Sequence, residues 1–265
     1  MRVGVIGLGV VGGAVARGLE KLGHEMSTHD IKMNTKVEDV KDTDLCFICV
    51  PTPSSPNGSC DTSIVESVLA ELDGIDYDGV ICIKSTVTPG TTARMQGKYP
   101  GRKICFVPEF LKERSADIDF TDYHDLCVIG TSSLPIYELV KECHGHYPEN
   151  FKMLFETEAE LCKYFNNTYN ATLVTFANSF YEISKELGCD YTKIKDTMTL
   201  RDHINDVYIN CDEGMRGFGG MCLPKDTKAL DNLIKLRGLE VQFFENIITE
   251  NDKYEVTVFD NMRKQ

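Results

Sequence analysis

Cys222 lies in the run Gly217-Phe218-Gly219-Gly220-Met221-Cys222-Leu223-Pro224-Lys225-Asp226, three residues before Lys225 and where helix-compatible sequence resumes. A nearby cation and a helix N-terminus both raise the thiolate fraction of a cysteine, so this thiol is a candidate nucleophile. The competing reading is one more buried structural cysteine, the role expected of most of the other ten. Lys163 and Asn167 are four residues apart in Glu160-Leu161-Cys162-Lys163-Tyr164-Phe165-Asn166-Asn167, so a helix places them on one face. A solvated lysine beside a polar neighbour would look the same, but the surrounding Phe, Tyr and Leu would bury much of that helix. Glu109 and Glu113 are also four apart, in Pro108-Glu109-Phe110-Leu111-Lys112-Glu113 after a strand end. A solvated acidic turn is the plain alternative there.

Gly7-Leu8-Gly9-Val10-Val11-Gly12 follows a strand-like run and opens a helix-like one. The first glycine permits a tight turn, the second lets backbone approach a pyrophosphate, and the third lets helix pack on strand. Phosphates would sit at the helix N-terminus, where N–H groups and the dipole favour negative charge. Asp30 ends the second strand at the distance where a carboxylate accepts from ribose hydroxyls. A carboxylate repels a 2′-phosphate, so NAD is preferred over NADP, although Lys32 softens the preference. A chance glycine pattern in a tight turn is the alternative.

These residues need a frame. Strands are expected at 2–6, 24–30, 45–50, 80–83, 104–107 and 126–129, and helices at 10–22, 61–72 and 135–143. Ile64, Val65, Val68 and Leu69 form the apolar face of the second helix. This alternation predicts an α/β fold, an N-terminal Rossmann-like doubly wound parallel sheet covered on both faces. From 157 the pattern becomes helical: Thr157-Glu158-Ala159-Glu160 reads as a capping box, and no Pro or Gly follows until Gly188. Further helices fit 191–200, 227–236 and 240–251, with a glycine-rich loop over 210–224. The expected organisation is a dinucleotide-binding domain over 1–155 and an all-helical domain with one long helix over 156–265.

With 28 Lys+Arg against 41 Asp+Glu, the net charge of −13 disfavours nucleic acid as a partner. No run approaches the ~18 apolar residues of a membrane span. Eleven cysteines, many inside apolar runs such as Leu45-Cys46-Phe47-Ile48-Cys49-Val50, act as small hydrophobes and point to the cytoplasm. Cys46 and Cys49 have CxxC spacing, but residues three apart in a strand face opposite ways. Arg2 and the apolar 3–16 stretch imitate a short secretory signal, which does not require those glycines. Cys143-His144-Gly145-His146 has no partner cluster of zinc-like spacing, so it reads as a surface loop and no metal is expected.

Together with the N-terminal glycines, five motifs in order resemble the UDP-glucose/GDP-mannose dehydrogenase family over nearly the whole chain. They are Val50-Pro51-Thr52-Pro53, Lys84-Ser85-Thr86-Val87-Thr88-Pro89-Gly90-Thr91-Thr92, the 108–113 and 160–167 runs, and the long cysteine motif. The resemblance implies two oxidations of a sugar C6 alcohol by NAD. Cys222 attacks the intermediate aldehyde, the thiohemiacetal loses a second hydride, and water hydrolyses the thioester. It implies that Lys163, Asn167 and Asp226 orient water or stabilise the oxyanion, and that Thr86 hydrogen-bonds this cluster. Glu113 becomes the base that opens the thioester, with Glu109 supporting the water network. Dinucleotide contacts would fall to Gly7, Gly9, Val10, Val11, Gly12, Asp30, Val50, Pro51, Thr52, Ser85, Thr86 and Lys225. Substrate contacts would fall to Glu109, Phe110, Leu111, Lys163, Asn167, Phe218, Gly219 and Cys222.

Two features depart from the family pattern. Its members normally continue into a third, nucleotide-sugar-binding domain, whereas this sequence ends after one more helix, near Asn261. The family's Arg-Ile-Gly run before the cysteine loop corresponds to His203-Ile204-Asn205, with Arg201 nearby. The expected form therefore lacks the C-terminal domain, leaves an apolar flank and pairs as a homodimer through the helical domain. The resemblance implies a nucleotide-sugar substrate; which nucleotide-sugar, or whether some smaller alcohol, stays open. A β-hydroxyacid-type dehydrogenase, which performs one hydride transfer without the cysteine, stays open as an alternative. So does a catalytically silent NAD-binding or partner-binding homologue.

Overall fold

The computed structural model describes residues 1–257; the expected chain end near Asn261 and the last residues of the 156–265 domain lie outside them. The chain divides into two compact units, one of residues 1–53 with 60–163, the other of 54–59 with 164 onward. The division falls inside a long helix, eight residues past the 155/156 boundary read from composition.

In the first unit, β1 (Arg2–Ile6), β2 (Glu25–His29), β3 (Leu45–Ile48), β4 (Val80–Ile83), β5 (Lys103–Phe106), β6 (Leu126–Gly130) and β7 (Asn150–Leu154) form one sheet. Its order is β2-β1-β3-β4-β5-β6-β7. Strand faces alternate as expected of a doubly wound sheet. Leu45 and Phe47 join Val15 and Leu19 of α1 (Val10–Lys21), Phe120 of α4 (Ala116–Thr121) and Val140 of α5 (Leu134–His144). Cys46 and Ile48 join Val65, Val68, Leu69 and Leu72 of α2 (Ser63–Gly74) and Met95 of α3 (Thr91–Lys98). Cys46 and Cys49 thus pack on opposite faces of the sheet.

Three details correct the sequence reading. First, β5 and β6 pair antiparallel, through Phe106 and Gly130, and the unforeseen β7 pairs parallel to β6, so the last two strands run against the others. The only helix longer than one turn between β5 and β6 is the six-residue α4, about 9 Å long, too short to return the chain along a strand and begin a parallel neighbour. Second, Ile64 is 40% exposed rather than on the buried face of α2. Third, Cys143 and His144 are buried in the last turn of α5, not on a surface loop.

The long helix α6 spans Glu156–Glu186, about 46 Å. It starts one residue before Thr157. The carboxylate of Glu158 reaches back to accept from Phe155 N at 2.9 Å, half of a capping box two residues earlier than expected. The second unit contains α6 from Tyr164, α7 (Tyr191–Met198), α8 (Leu223–Leu236) and α9 (Phe243–Asn251). The 54–59 segment is held to α8 by Asn232 Nδ2 donating to Asn57 O at 2.9 Å.

Candidate active site

In the first unit, β2 and β3 lie on opposite sides of β1, so connections from neighbouring strands diverge at the carboxyl ends of β1 and β3. That switch point is where open α/β sheets bind ligands. Gly7 has φ 89° and a Cβ there would lie 2.7 Å from Cys49 O; on Gly12 a Cβ would lie 1.8 Å from Gly7 O. The turn and the close seat of α1 on β1 both require glycine. Gly9, the N-cap of α1, has no side-chain cap, and a Cβ there would meet nothing within 4 Å. Val10 and Val11 begin the helix behind it. This bare helix start, lined by backbone and open in front, fits a dinucleotide pyrophosphate.

Asp30 sits beside the turn. Its Oδ2 accepts from Leu8 N at 2.7 Å and its Oδ1 from Lys32 N at 2.8 Å. Those bonds, led by the one from Leu8, hold its carboxyl below the usual range. It therefore braces the glycine loop as a carboxylate. At the end of β3, Val50 is half-buried, Pro51 exposed and Thr52 buried. Ser85 Oγ donates to Val50 O at 2.7 Å, tying the β4 end to the β3 end, and the carbonyl of the half-buried Thr86 accepts from the Cys60 thiol.

The 108–113 motif separates its two carboxylates. Glu109 is buried, and its Oε1 accepts from Phe110 N at 2.8 Å and Leu111 N at 3.2 Å. Its Oε2 lies 3.0 Å from the buried Lys84 ammonium, and its main-chain carbonyl accepts from Lys163 Nζ. Burial alone would push the Glu109 carboxyl up. The Lys84 ammonium, then His124 and Lys163, outweigh it and hold the group ionised. Glu113 is exposed at the start of a 3₁₀ turn over Glu113–Ser115, so the two glutamates share no helix face. Lys163 Nζ lies 5.7 Å from the Phe110 ring centroid, and Phe110 and Leu111 pack on different core clusters of the first unit. Spacing did not single out Lys84, because its partner lies 25 residues away.

One turn past Lys163 on α6, in the second unit, Asn167 is 4% exposed and donates through Nδ2 to Asp226 Oδ2 at 2.5 Å. Asp226 is fully buried in the first turn of α8, and its Oδ1 takes Lys225 Nζ at 2.5 Å. Cys222 is the N-cap of α8 and exposed. It stands at the positive end of that helix, directly before the turn that carries Lys225 and Asp226. Other cysteines differ: burial pushes the thiols of Cys49 and Cys127 up to about 12.

Two asparagines not foreseen from the sequence shape the glycine loop before Cys222. Asn251 Oδ1 accepts from Phe218 N at 2.7 Å and its Nδ2 donates to Phe218 O at 3.0 Å. Asn178 Oδ1 accepts from Gly217 N at 3.2 Å and Arg216 Nε at 2.9 Å. The Phe218 side chain is buried against Ala171 and Ile247, while Gly219 is half-buried. Asn178 directly follows Phe176-Ala177, a local signal of a buried amide, whereas Asn251 follows Thr249-Glu250 and carries no such signal. His203 and Asn205 are exposed.

A doubly wound sheet with this glycine turn defines the dinucleotide-binding class of α/β domains, here followed in the chain by a helical unit bearing a cysteine at a helix start. The chain belongs to the UDP-glucose/GDP-mannose dehydrogenase family. The family's NAD binding domain matches residues 26–147 and its central domain residues 157–253. NAD is the cofactor of that first domain. Among relatives, the UDP-glucose 6-dehydrogenase of Rickettsia bellii is 31% identical over 81% of this chain and 50% of its own length. The chain thus spans about half of that relative. The GDP-mannose 6-dehydrogenase of Pseudomonas syringae pv. syringae is 28% identical over 98% of this chain and 70% of its own. The solved UDP-glucose dehydrogenase of Pyrobaculum islandicum superposes with a TM-score of 0.87 at 28% identity, covering 95% of this chain and 68% of that one. No helix among the described residues is long and apolar enough to cross a membrane.

Proposed function

We propose that this chain oxidises the C6 alcohol of a nucleotide-sugar such as UDP-glucose to the uronic acid, in two steps through Cys222. The observation that carries the reading is the Asn167–Asp226–Lys225 network, buried at the first turn of the helix whose N-cap is the exposed Cys222. Two NAD molecules, bound in turn, would each accept one hydride, and Gly7, Gly9, Gly12 and Asp30 are the residues that would hold them. The Cys222 thiolate adds to the aldehyde carbon, and the oxygen that gains negative charge is stabilised by the Lys163 ammonium and the Asn167 amide. Asp226 orients that amide by accepting one of its hydrogens. After the second oxidation, water attacks the thioester carbon and the C–S bond breaks, returning the thiol. Glu113 is the base for that water by its match to the family motif, and its exposure gives it access to solvent. The Glu109 side chain, by contrast, is occupied by Lys84 and two amides.

The protein acts as a homodimer through the long helix. Phe165, Tyr169, Phe176, Phe180, Ile183 and Leu187 are 40–74% exposed and lie along one side of it. Thiols packed as small hydrophobes suit the cytoplasm. The test is NADH release by the wild type and Cys222→Ser with NAD and a panel of UDP- and GDP-sugars. The reading expects turnover with at least one sugar and its loss in the variant. Intact NAD binding without turnover on any of them would show a silent NAD-binding homologue instead.

A further inference from the structure

Lys84, at the end of β4, has a side chain only 1% exposed. It cannot reach a substrate, yet its ammonium is directed at the motif that holds Lys163. Nζ lies 3.0 Å from Glu109 Oε2 and 5.6 Å from the Phe47 ring centroid. The other Glu109 oxygen closes over the amides of Phe110 and Leu111, and the carbonyl of the same residue accepts from Lys163 Nζ. One carboxylate therefore fixes the conformation of the loop whose carbonyl receives the second ammonium. His124, Cys49, Cys127, Cys143 and His144 also surround Lys84 and Glu109. Burial works against a charged Lys84, and the Glu109 carboxylate overcomes it. Apolar residues of equal volume commonly stabilise a fold as well as a buried ion pair does. The pair is therefore better explained by the geometry it imposes than by stability.

We infer that Lys84 is a positioning residue: by pinning the Glu109 side chain it fixes the Glu109 carbonyl, which holds the Lys163 ammonium in place for the chemistry at C6. This rests on the proposed dehydrogenase reading. The test compares wild type, Lys84→Met, Glu109→Gln and the double variant, with NAD and either UDP-glucose or GDP-mannose. In Lys84→Met, kcat should fall on the order of 100-fold. KM for the sugar and Kd for NAD should stay within about twofold of wild type. The double variant should be no slower than Lys84→Met, because both changes break one relay. A kcat of Lys84→Met within about threefold of wild type overturns the inference, as do single losses that multiply in the double variant. A parallel fall of kcat, sugar affinity, NAD affinity and Tm also overturns it, assigning Lys84 to the fold alone. If Lys84→Met does not fold, the double variant, which buries no unpaired charge, decides by the same kcat, KM and Kd criteria. A wild type inactive on both sugars defeats the dehydrogenase reading itself, whereas an active wild type beside an undiminished Lys84→Met defeats only the role of Lys84.

Discussion

Asn167 Nδ2 lies 2.5 Å from an Asp226 oxygen that has no access to water, so removing the amide leaves a buried carboxylate one donor short. That loss costs about 1–3 kcal/mol. For Asn167→Ala we expect kcat/KM to fall about 5- to 150-fold, mostly in kcat, as read by initial rates of NADH formation. A change confined to KM would move Asn167 from oxyanion stabilisation to uniform substrate binding. At Cys222 the expectation concerns what stays bound: wild type quenched in acid during turnover should carry a sugar acyl mass on the peptide containing Cys222, and Cys222→Ser should lack it. An adduct on another cysteine would relocate the nucleophile. The place of Cys222 at a helix start was legible because a glycine loop running into a helix is a local pattern. Lys84, Asn178 and Asn251 were not, because their partners lie 25, 38 and 33 residues distant.

Among the elements, the glycine turn and its strand–helix frame could be read from the sequence because each glycine meets a steric demand set within a few tens of residues. A Gly12→Ala methyl would fall 1.8 Å from Gly7 O. Overpacking of this kind costs about 1–3 kcal/mol by chemical denaturation, and NAD affinity by calorimetry should fall at least about tenfold, since the turn itself must shift. Unchanged affinity would place the pyrophosphate elsewhere.

Helix α6 shows the limit of periodicity. Its aromatic residues suggested burial, yet Phe165, Tyr169 and Phe176 are exposed while Glu160, Lys163, Asn167 and Asn178 face inward. The inward polar groups are satisfied by Thr92, the Glu109 carbonyl, Asp226 and Arg216, all distant in sequence. Spacing shows that a helix has two faces, not which one is solvated by protein. The buried Lys84–Glu109 pair also sets a pH window. Glu109 is held below its usual 4.5, so its contribution is full above that value and is lost as pH falls through the folded pKa. Lys84 is held above its usual 10.5, so its contribution is full below that value and is lost as pH rises through the folded pKa. Melting temperatures of wild type and the Lys84→Met/Glu109→Gln variant should therefore keep a constant difference from about pH 5 to 9 and change it only outside that range. A difference that drifts steadily through neutrality would contradict this assignment.

At the scale of the whole molecule, the exposed stripe from Phe165 to Leu187 is a surface that water does not favour. Phe176→Lys with Phe180→Lys should convert the protein from dimer to monomer, read by light scattering on a sizing column, and should barely alter the far-ultraviolet circular dichroism. A wild type that is monomeric at micromolar concentration would reject the dimer. The reaction itself is tested most directly by counting: NADH formed per sugar consumed, with limiting sugar and excess NAD, taken to completion. Oxidation of the alcohol through a cysteine-bound acyl group predicts two NADH and a carboxylate product. One NADH per sugar, with the aldehyde or ketone as the end product, would contradict it.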